Sequence, residues 1–518
     1  MYIYADDSMQ GRLAGTEGNR RAVRYIEREV RRLGLEPAGD GGGYLQNVPM
    51  ITRLVDSTSR LTVNGKQLGL WRDFAPFPYL PLFLPYGPRF ESQGVPVVYA
   101  GRYGQNPGLP SAATSGKVVV YGAPLDSAGQ PDPRIQSYGP LPVPSGAVAV
   151  VFATLDLLPE GTIAQLSTPR LALSTPNADS DPKPIALSIT RAAAATIFGS
   201  PLDQVKTGAT GSSLSGRIGL IEKRSESPVE NVVAIVRGAD PHLRSQFVAL
   251  GAHNDHLGTV SPPLEHDSVY VFNRLFRPLG AEDPSPTLTP EQTSRLRAAL
   301  DSVSRTQARR VDSVANGADD DGSGSMGLLE IAEALSRQPP RRSILFVWHA
   351  AEEEGLFGSQ WFTEHPTVPR DSIVAQINLD MIGRGERRDV PDGGPKYLLV
   401  IGSRRLSREL GDLAETVARE PRHGFTLNYK YDAPGHPGQA YCRSDHYMYA
   451  RFGIPVAFFS TDIHQDYHQV TDEAQYLSYP KYARVTEFLK DLAVRVADLD
   501  HRPVVDQPKP DPNAPCKQ

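Results

Sequence analysis

The chain has 518 residues, with 54 Lys and Arg against 59 Asp and Glu, giving a formal net charge of -5. A 40% hydrophobic and 22% charged composition is that of a globular protein long enough to bury a large core without disulfide staples. The acidic balance argues against a nucleic-acid scaffold, and only two cysteines exclude both a disulfide framework and a cysteine-rich zinc site.

Taken in chain order, the start lacks the basic and apolar regions of a signal peptide. That leaves a cytoplasmic chain or one without its export segment. The motif-like stretch that begins by Gly11 suggests a missing N-terminus. Residues 19–34 predict an amphipathic helix, with Ala22, Ile26, Val30 and Leu33 on one face, Asn19 as cap and Gly34 as stop. Runs at 48–55 and 60–63 predict strands. From about 75 to 205 short β-like runs alternate with Pro, Gly and Ser, which predicts a separate, mostly β inserted domain. From about 217 the texture is α/β. Apolar runs at 231–236, 247–251, 343–348, 373–379, 397–401 and 456–459 alternate with helical patterns at 326–335, 406–418 and 482–499. These predict a central sheet with helices on both faces. The split is therefore 1–74 with 206–500 as one discontinuous domain, 75–205 as the insert, and 501–518 as a disordered, Pro-rich tail. No run approaches the roughly 18 apolar residues of a membrane span. Cys442 and Cys516 leave open one disulfide or two free thiols.

Several predicted strands end in His, Asp or Glu. One is followed by Ala252-His253-Asn254-Asp255-His256, another by His349-Ala350-Ala351-Glu352-Glu353-Glu354, a third by Asp380, and a fourth by His464-Gln465-Asp466-Tyr467-His468. Asp319, Asp320 and Asp321 stand just before a helical pattern. Carboxylates gathered in one crevice repel unless a cation lies between them, and oxygen ligands with imidazoles suit zinc or a similar divalent ion. Adjacent Glu352 and Glu353 can divide the roles of proton acceptor and metal ligand in a two-metal hydrolytic site. Asp255 is placed to accept the ring N–H of His253. Asp319 and Asp321 read as turn and helix-start residues. His256, His349, His446 and His464 read as packing or rim residues, and Gly322 and Gly324 as places where backbone comes close to the central carboxylate.

These stretches resemble the M28 family of co-catalytic zinc aminopeptidases, in the form that carries an inserted protease-associated domain. The resemblance rests on Gly11–Asn19, Gly251–Gly258, Asn316–Gly324, Ala350–Ser359, Asn378–Met381, Arg443–His446, Phe452–Pro455 and Asp466–His468. It implies the zinc-dependent exopeptidase fold and two zinc ions per chain. It further implies His253 and Asp380 on one ion, Glu353 and His468 on the other, and Asp320 bridging both. Glu352 becomes the general base for a water held between the ions, Asp255 the partner of His253, and Tyr441 the phenol that steadies the oxyanion. The implied substrates are peptides with a free N-terminus, and the implied location is secreted or periplasmic. The insert's likeness to a protease-associated domain rests on Ser115–Val120 and Gly146–Val150. The chain departs from compact members in an extra segment, 260–312, expected beside the site and carrying a helix at 290–306. Competing readings are a glutaminyl cyclase-like single-zinc enzyme, a carboxypeptidase or amidohydrolase on the same fold, and a non-catalytic receptor-like protein.

Overall fold

The computed structural model describes the chain apart from residues 77–86, 88, 105–107, 127, 133–143, 159–161, 175–183, 306–307, 513 and 515. Parts of the predicted insert fall in those ranges and lie outside the described residues. The chain divides into one unit of Met1–Pro49 with Ser225–Gln518 and a second of Met50–Arg224.

In the first unit a mixed sheet runs Glu36–Pro37, Val229–Val236, Ser343–His349, Phe247–His253, Ile373–Leu379, Val456–Ser460, Tyr397–Ile401, Thr426–Asn428, with Leu45–Val48 also paired to Val229–Val236. The four strands from Ser343–His349 to Val456–Ser460 are mutually parallel. Their carboxyl ends therefore meet along one edge of the sheet. Alternate residues of a strand point to opposite faces. Ile344, Phe346 and Trp348 join the main core, and the intervening Leu345 and Val347 are also fully buried. Both faces of the sheet are thus covered, as the continuous apolar runs predict. Helix Glu17–Arg32 contributes Ala22, Val23, Ile26 and Val30 to this core, and Gly324–Arg337, Arg408–Ala418 and Tyr479–Ala497 contribute their apolar faces. Among the described residues no helix is long and apolar enough to cross a membrane.

The second unit is mostly β, and its boundaries differ from the predicted 75–205. Strand Thr210–Arg224 pairs antiparallel with Met50–Val55, Arg60–Val63 and Arg89–Arg102. The runs near 50–68 and 210–224 therefore satisfy their backbone hydrogen bonds in this sheet, not in that of the first unit. Texture placed the boundary too far inside, because a strand's partner is not visible in its own residues.

The tail 501–518 is another correction. Cys442 and Cys516 form a disulfide. Gln518 donates to the carbonyl of Tyr431 at 2.8 Å and accepts from the amide of Tyr441 at 2.9 Å. The amide of Arg408 donates to Asp506 at 3.1 Å. Polar contacts and one covalent bond hold this segment, so its lack of apolar periodicity misled the reading. The cysteines are 74 residues apart in sequence, and closing a loop of that size stabilises by on the order of 4 kcal/mol in the chain-entropy account. Cys442→Ser is expected to lower the unfolding free energy by about that amount. Urea midpoints of wild type and variant, with and without reductant, check this, and equal midpoints in the absence of reductant would contradict it.

Candidate metal centre

The site assembles from the ends of parallel strands and the loops that follow them. His253 closes Phe247–His253, Glu352 and Glu353 follow Ser343–His349, Asp380 follows Ile373–Leu379, and His468 lies beyond Val456–Ser460. Asp320 comes from the turn before helix Gly324–Arg337. That turn is pinned by Arg12, which is fully buried and donates to the carbonyls of Asn316, Gly317 and Asp320 at 2.6, 2.8 and 3.4 Å. Gly11 beside it has φ +64°, and a side-chain carbon there would lie 2.1 Å from the carbonyl oxygen of Gly258. The N-terminal motif thus braces the aspartate turn.

Asp320 stands between two imidazoles. Its Oδ1 is 3.1 Å from His253 Nε2 and its Oδ2 is 3.0 Å from His468 Nε2. Glu353 Oε2 is 3.1 Å from the same His468 nitrogen. Asp380 Oδ1 and Glu352 Oε2 lie 3.8 and 4.0 Å from His253 Nε2. Around Asp320 two groups can hold an ion: His253, Glu352 and Asp380, and His256, Asp320 and Glu353.

The donor set fits divalent ions on one further observation. His253 Nδ1 donates to the backbone carbonyl of Asp255 at 3.2 Å, which turns Nε2 toward the acids. That Nε2 is buried and makes no hydrogen bond, although a carboxylate oxygen lies 3.1 Å away. A buried imidazole nitrogen facing the oxygens of Asp320 and Asp380 is a donor set that a divalent cation takes.

The local electrostatics follow from burial and proximity. Burial pushes the Glu352 carboxyl well above the usual range, and neighbouring Glu353 and Asp380 add to this against the pull of His253. Asp255 is pushed up to about 7, again mainly by burial. Glu353 goes the other way. Burial and Asp320 would raise it, but His468 and His256 bring it down to about 2.

Around this centre the side chains fall out as follows. The carboxylate of Asp255 does not take the His253 ring N–H, which the sequence suggested. It lies 3.8 Å from Nδ1 and accepts the backbone amides of Glu352 and Glu353 at 3.0 and 3.3 Å. Amides at the turn offer both its oxygens donors, and its own main-chain carbonyl serves the imidazole. Asp380 is fixed by Ser444, which donates to it at 2.7 Å and accepts from Asn378 at 2.9 Å. Asp319 and Asp321 face amides. Asp319 accepts from Gly383 at 2.6 Å, and Asp321 accepts from Gly324 at 2.9 Å and His253 at 3.0 Å. A side-chain carbon on Gly324 would lie 2.3 Å from the carboxylate of Asp321 and from the carbonyl oxygen of Leu379.

His349 donates or accepts at Tyr449 at 2.9 Å and lies 3.3 Å from Asp445, deep in the core. His446 packs on Phe458, and burial lowers it to about 3. His464 lies 3.2 Å from Asp319.

Two residues differ from their sequence readings. His256 is not confined to loop packing, since its Nδ1 is 2.6 Å from Glu353 Oε1 and 3.9 Å from Asp320 Oδ2. Tyr441 is packed on Arg405, His446 and Tyr447, and the C-terminal Gln518 holds its amide. The phenol facing the acids is Tyr467. Its ring stacks on His468 at 3.8 Å, and Arg443 donates to its oxygen at 3.4 Å. Burial, with Asp320 next, keeps it un-ionised. Its signal was present, since it immediately precedes His468, but that stretch was read for its histidine alone.

The extra segment forms an antiparallel ribbon, Gly258–Glu265 with Val311–Ala315, and helices His266–Phe276 and Pro290–Ser304. It docks on the loop that carries His468. Arg274 donates twice to Asp466 at 2.9 and 2.8 Å, the amide of Ala281 donates to Tyr467 at 3.1 Å, and Glu282 pairs with Arg443. A third group, His266 and Asp312 of this segment with Glu473, is threaded by Arg310, which pairs with both carboxylates.

A model of peptidase family M28 matches residues 231–493, a little over half of the chain. The chain belongs to peptidase family M28. Every proposed ligand falls within the matched M28 stretch. Aminopeptidase Y of Saccharomyces cerevisiae is 27% identical over 195 residues, 35% of this chain and 34% of that protein. A probable leucine aminopeptidase of Arthroderma benhamiae is 42% identical over 82 residues, 15% of this chain and 23% of that protein. The chain thus spans about a third or less of the length of these relatives. Among solved structures, an aminopeptidase from Aneurinibacillus sp. strain AM-1 is similar with a TM-score of 0.47 and 17% identity, covering 98% of each chain.

Proposed function

We propose that this chain is a dizinc aminopeptidase that hydrolyses the N-terminal peptide bond of peptides. The observation that carries the reading is Asp320, whose two oxygens face the imidazoles of two separate ligand groups. Two zinc ions held by His253, Asp320, Asp380, Glu353 and His468 would supply Lewis-acid polarisation of the scissile carbonyl and acidify water. The chain's own residues do the rest. Glu352, held at its backbone by Asp255, takes the proton from attacking water and delivers it to the leaving amine. His256 orients Glu353. Tyr467, steadied by Arg443, offers a phenol to the oxyanion, the part first given to Tyr441.

The two ion-holding groups favour this reading over a single-zinc cyclase, and the complete ligand set favours it over a receptor without catalysis. The second unit, mostly β, is read as a protease-associated-like domain. A secreted or periplasmic location is supported by the disulfide, since such bonds persist in oxidising compartments.

The test is zinc content per chain on the same preparation as a timed digest of short peptides with free and acetylated N-termini. The expected result is close to two zinc ions per chain and cleavage of free-amine peptides only. Fewer than one ion after zinc addition, or equal cleavage of blocked peptides, would sink the reading. Release of C-terminal residues would favour the carboxypeptidase alternative.

A further inference from the structure

A cavity of about 390 Å³ in the first unit lies between the extra segment and the loop after Asp380. None of the five proposed metal ligands lines it. Its size is that of a pocket for a small organic molecule. Tyr270 and Tyr476 form an aromatic wall, with ring centroids 5.1 Å apart, and the guanidinium carbon of Arg274 lies 3.2 Å from the centre of the Tyr270 ring. Arg384 lines it from within, and Arg387 and Arg388 are exposed.

Four arginines line this cavity, and Asp389 is the one carboxylate among its lining residues. Arg384 is 1% exposed and donates to Asp389 at 2.7 Å and to Asp466 at 3.0 Å. Its Nη1 is buried with no hydrogen-bond partner. Arg274 shares Asp466 with it. Arg388 donates to the carbonyl of Tyr476 at 3.2 Å and stands 3.7 Å from Asp389. The charge of Arg387 is met by no carboxylate among the described residues. Four guanidinium groups thus line the cavity against Asp389, with Asp466 and Asp472 behind Arg384. A guanidinium fork is shaped to receive carboxylate or phosphate oxygens.

We propose that this cavity binds an organic oxyanion, a carboxylate or phosphate carried on a small body that lies against the tyrosine wall. The anion is received by the exposed Arg387 and Arg388. Because Arg274 and Arg384 both hold Asp466, two residues before His468, an occupied pocket also steadies the loop that reaches the candidate metal centre. The site stands independently of the activity proposed above, since its residues and test involve no catalysis.

The experiment is isothermal titration calorimetry on the full, metal-loaded chain at low salt, with inorganic phosphate, succinate and a short Asp-containing peptide blocked at both ends. The same titrations are run on Arg387→Gln and on the double variant Arg387→Gln/Arg388→Gln. Both positions are exposed, and Arg387 has no ion pair to lose, so the single variant guards against misfolding. The expected result is binding of at least one probe to wild type, weakened at least tenfold in the double variant, with unchanged zinc content and circular dichroism. Phosphate or succinate among the ligands would identify a free anion, and the peptide alone an acidic side chain. Equal binding to wild type and variants would place the anion at the metal centre and overturn the proposal, as would no binding of any probe at millimolar concentration.

Discussion

Glu352→Gln is expected to lower kcat on a free-amine peptide by on the order of 10⁴-fold, with zinc content and KM nearly unchanged. The amide keeps the shape of the carboxylate but cannot accept a proton. Glu352 lies at the edge of the ligand cluster, 4.0 Å from His253 Nε2, and its amide is anchored by Asp255, so the exchange leaves the backbone in place. In the wild type its carboxyl is held above the usual range chiefly by burial, which makes it a stronger base once ionised. Steady-state kinetics with metal analysis on the same sample decide the matter. A variant that loses its zinc would make Glu352 a ligand, and one that keeps full kcat would remove it from the chemistry.

Asp320→Asn is expected to abolish activity and to empty both metal positions together. One oxygen of Asp320 faces His253 and the other faces His468, so neutralising this one carboxylate weakens two groups at once. The loss of affinity at each position should exceed the roughly 10–100-fold that outer hydrogen-bond partners contribute. Asp380→Asn is the matched control, because the one imidazole that Asp380 pairs with is His253, at 3.8 Å. It should lower occupancy of one position and spare the other. Zinc content after dialysis against a weak chelator separates the cases. If Asp320→Asn retains one ion per chain, the carboxylate does not bridge.

Much of the site was legible before any fold was known. His253, Glu352, Glu353, Asp380 and His468 each follow an apolar run, and parallel strands in one sheet bring such endings together whatever their separation in sequence. Their chemistry restricts what they can do, because gathered carboxylates and imidazoles call for a cation. Asp320 was singled out from its neighbours by resemblance alone. The structure supplies the physical distinction, since Asp321 points to backbone amides, Asp319 to an amide and the single histidine His464, and Asp320 between the histidines of two ligand groups. The parts that were misjudged depend on partners far away in sequence. Asp255 serves the amides of Glu352 and Glu353, Tyr441 packs on Arg405, and the C-terminal tail is tied to Cys442.

The sequence by itself determined the periodic elements, the layered α/β architecture and the residue types at the strand ends. Periodicity and composition are local properties, and they survive without knowledge of contacts. Only the tertiary structure decided the boundaries of the second unit, which phenol faces the acids, the part of His256, and the arginine-lined cavity beside the extra segment. Each of these is set by which strand pairs with which and where side chains of distant segments meet. A hydrogen bond or a charge pair binds atoms at about 3 Å regardless of the number of residues between them, so no local pattern records it.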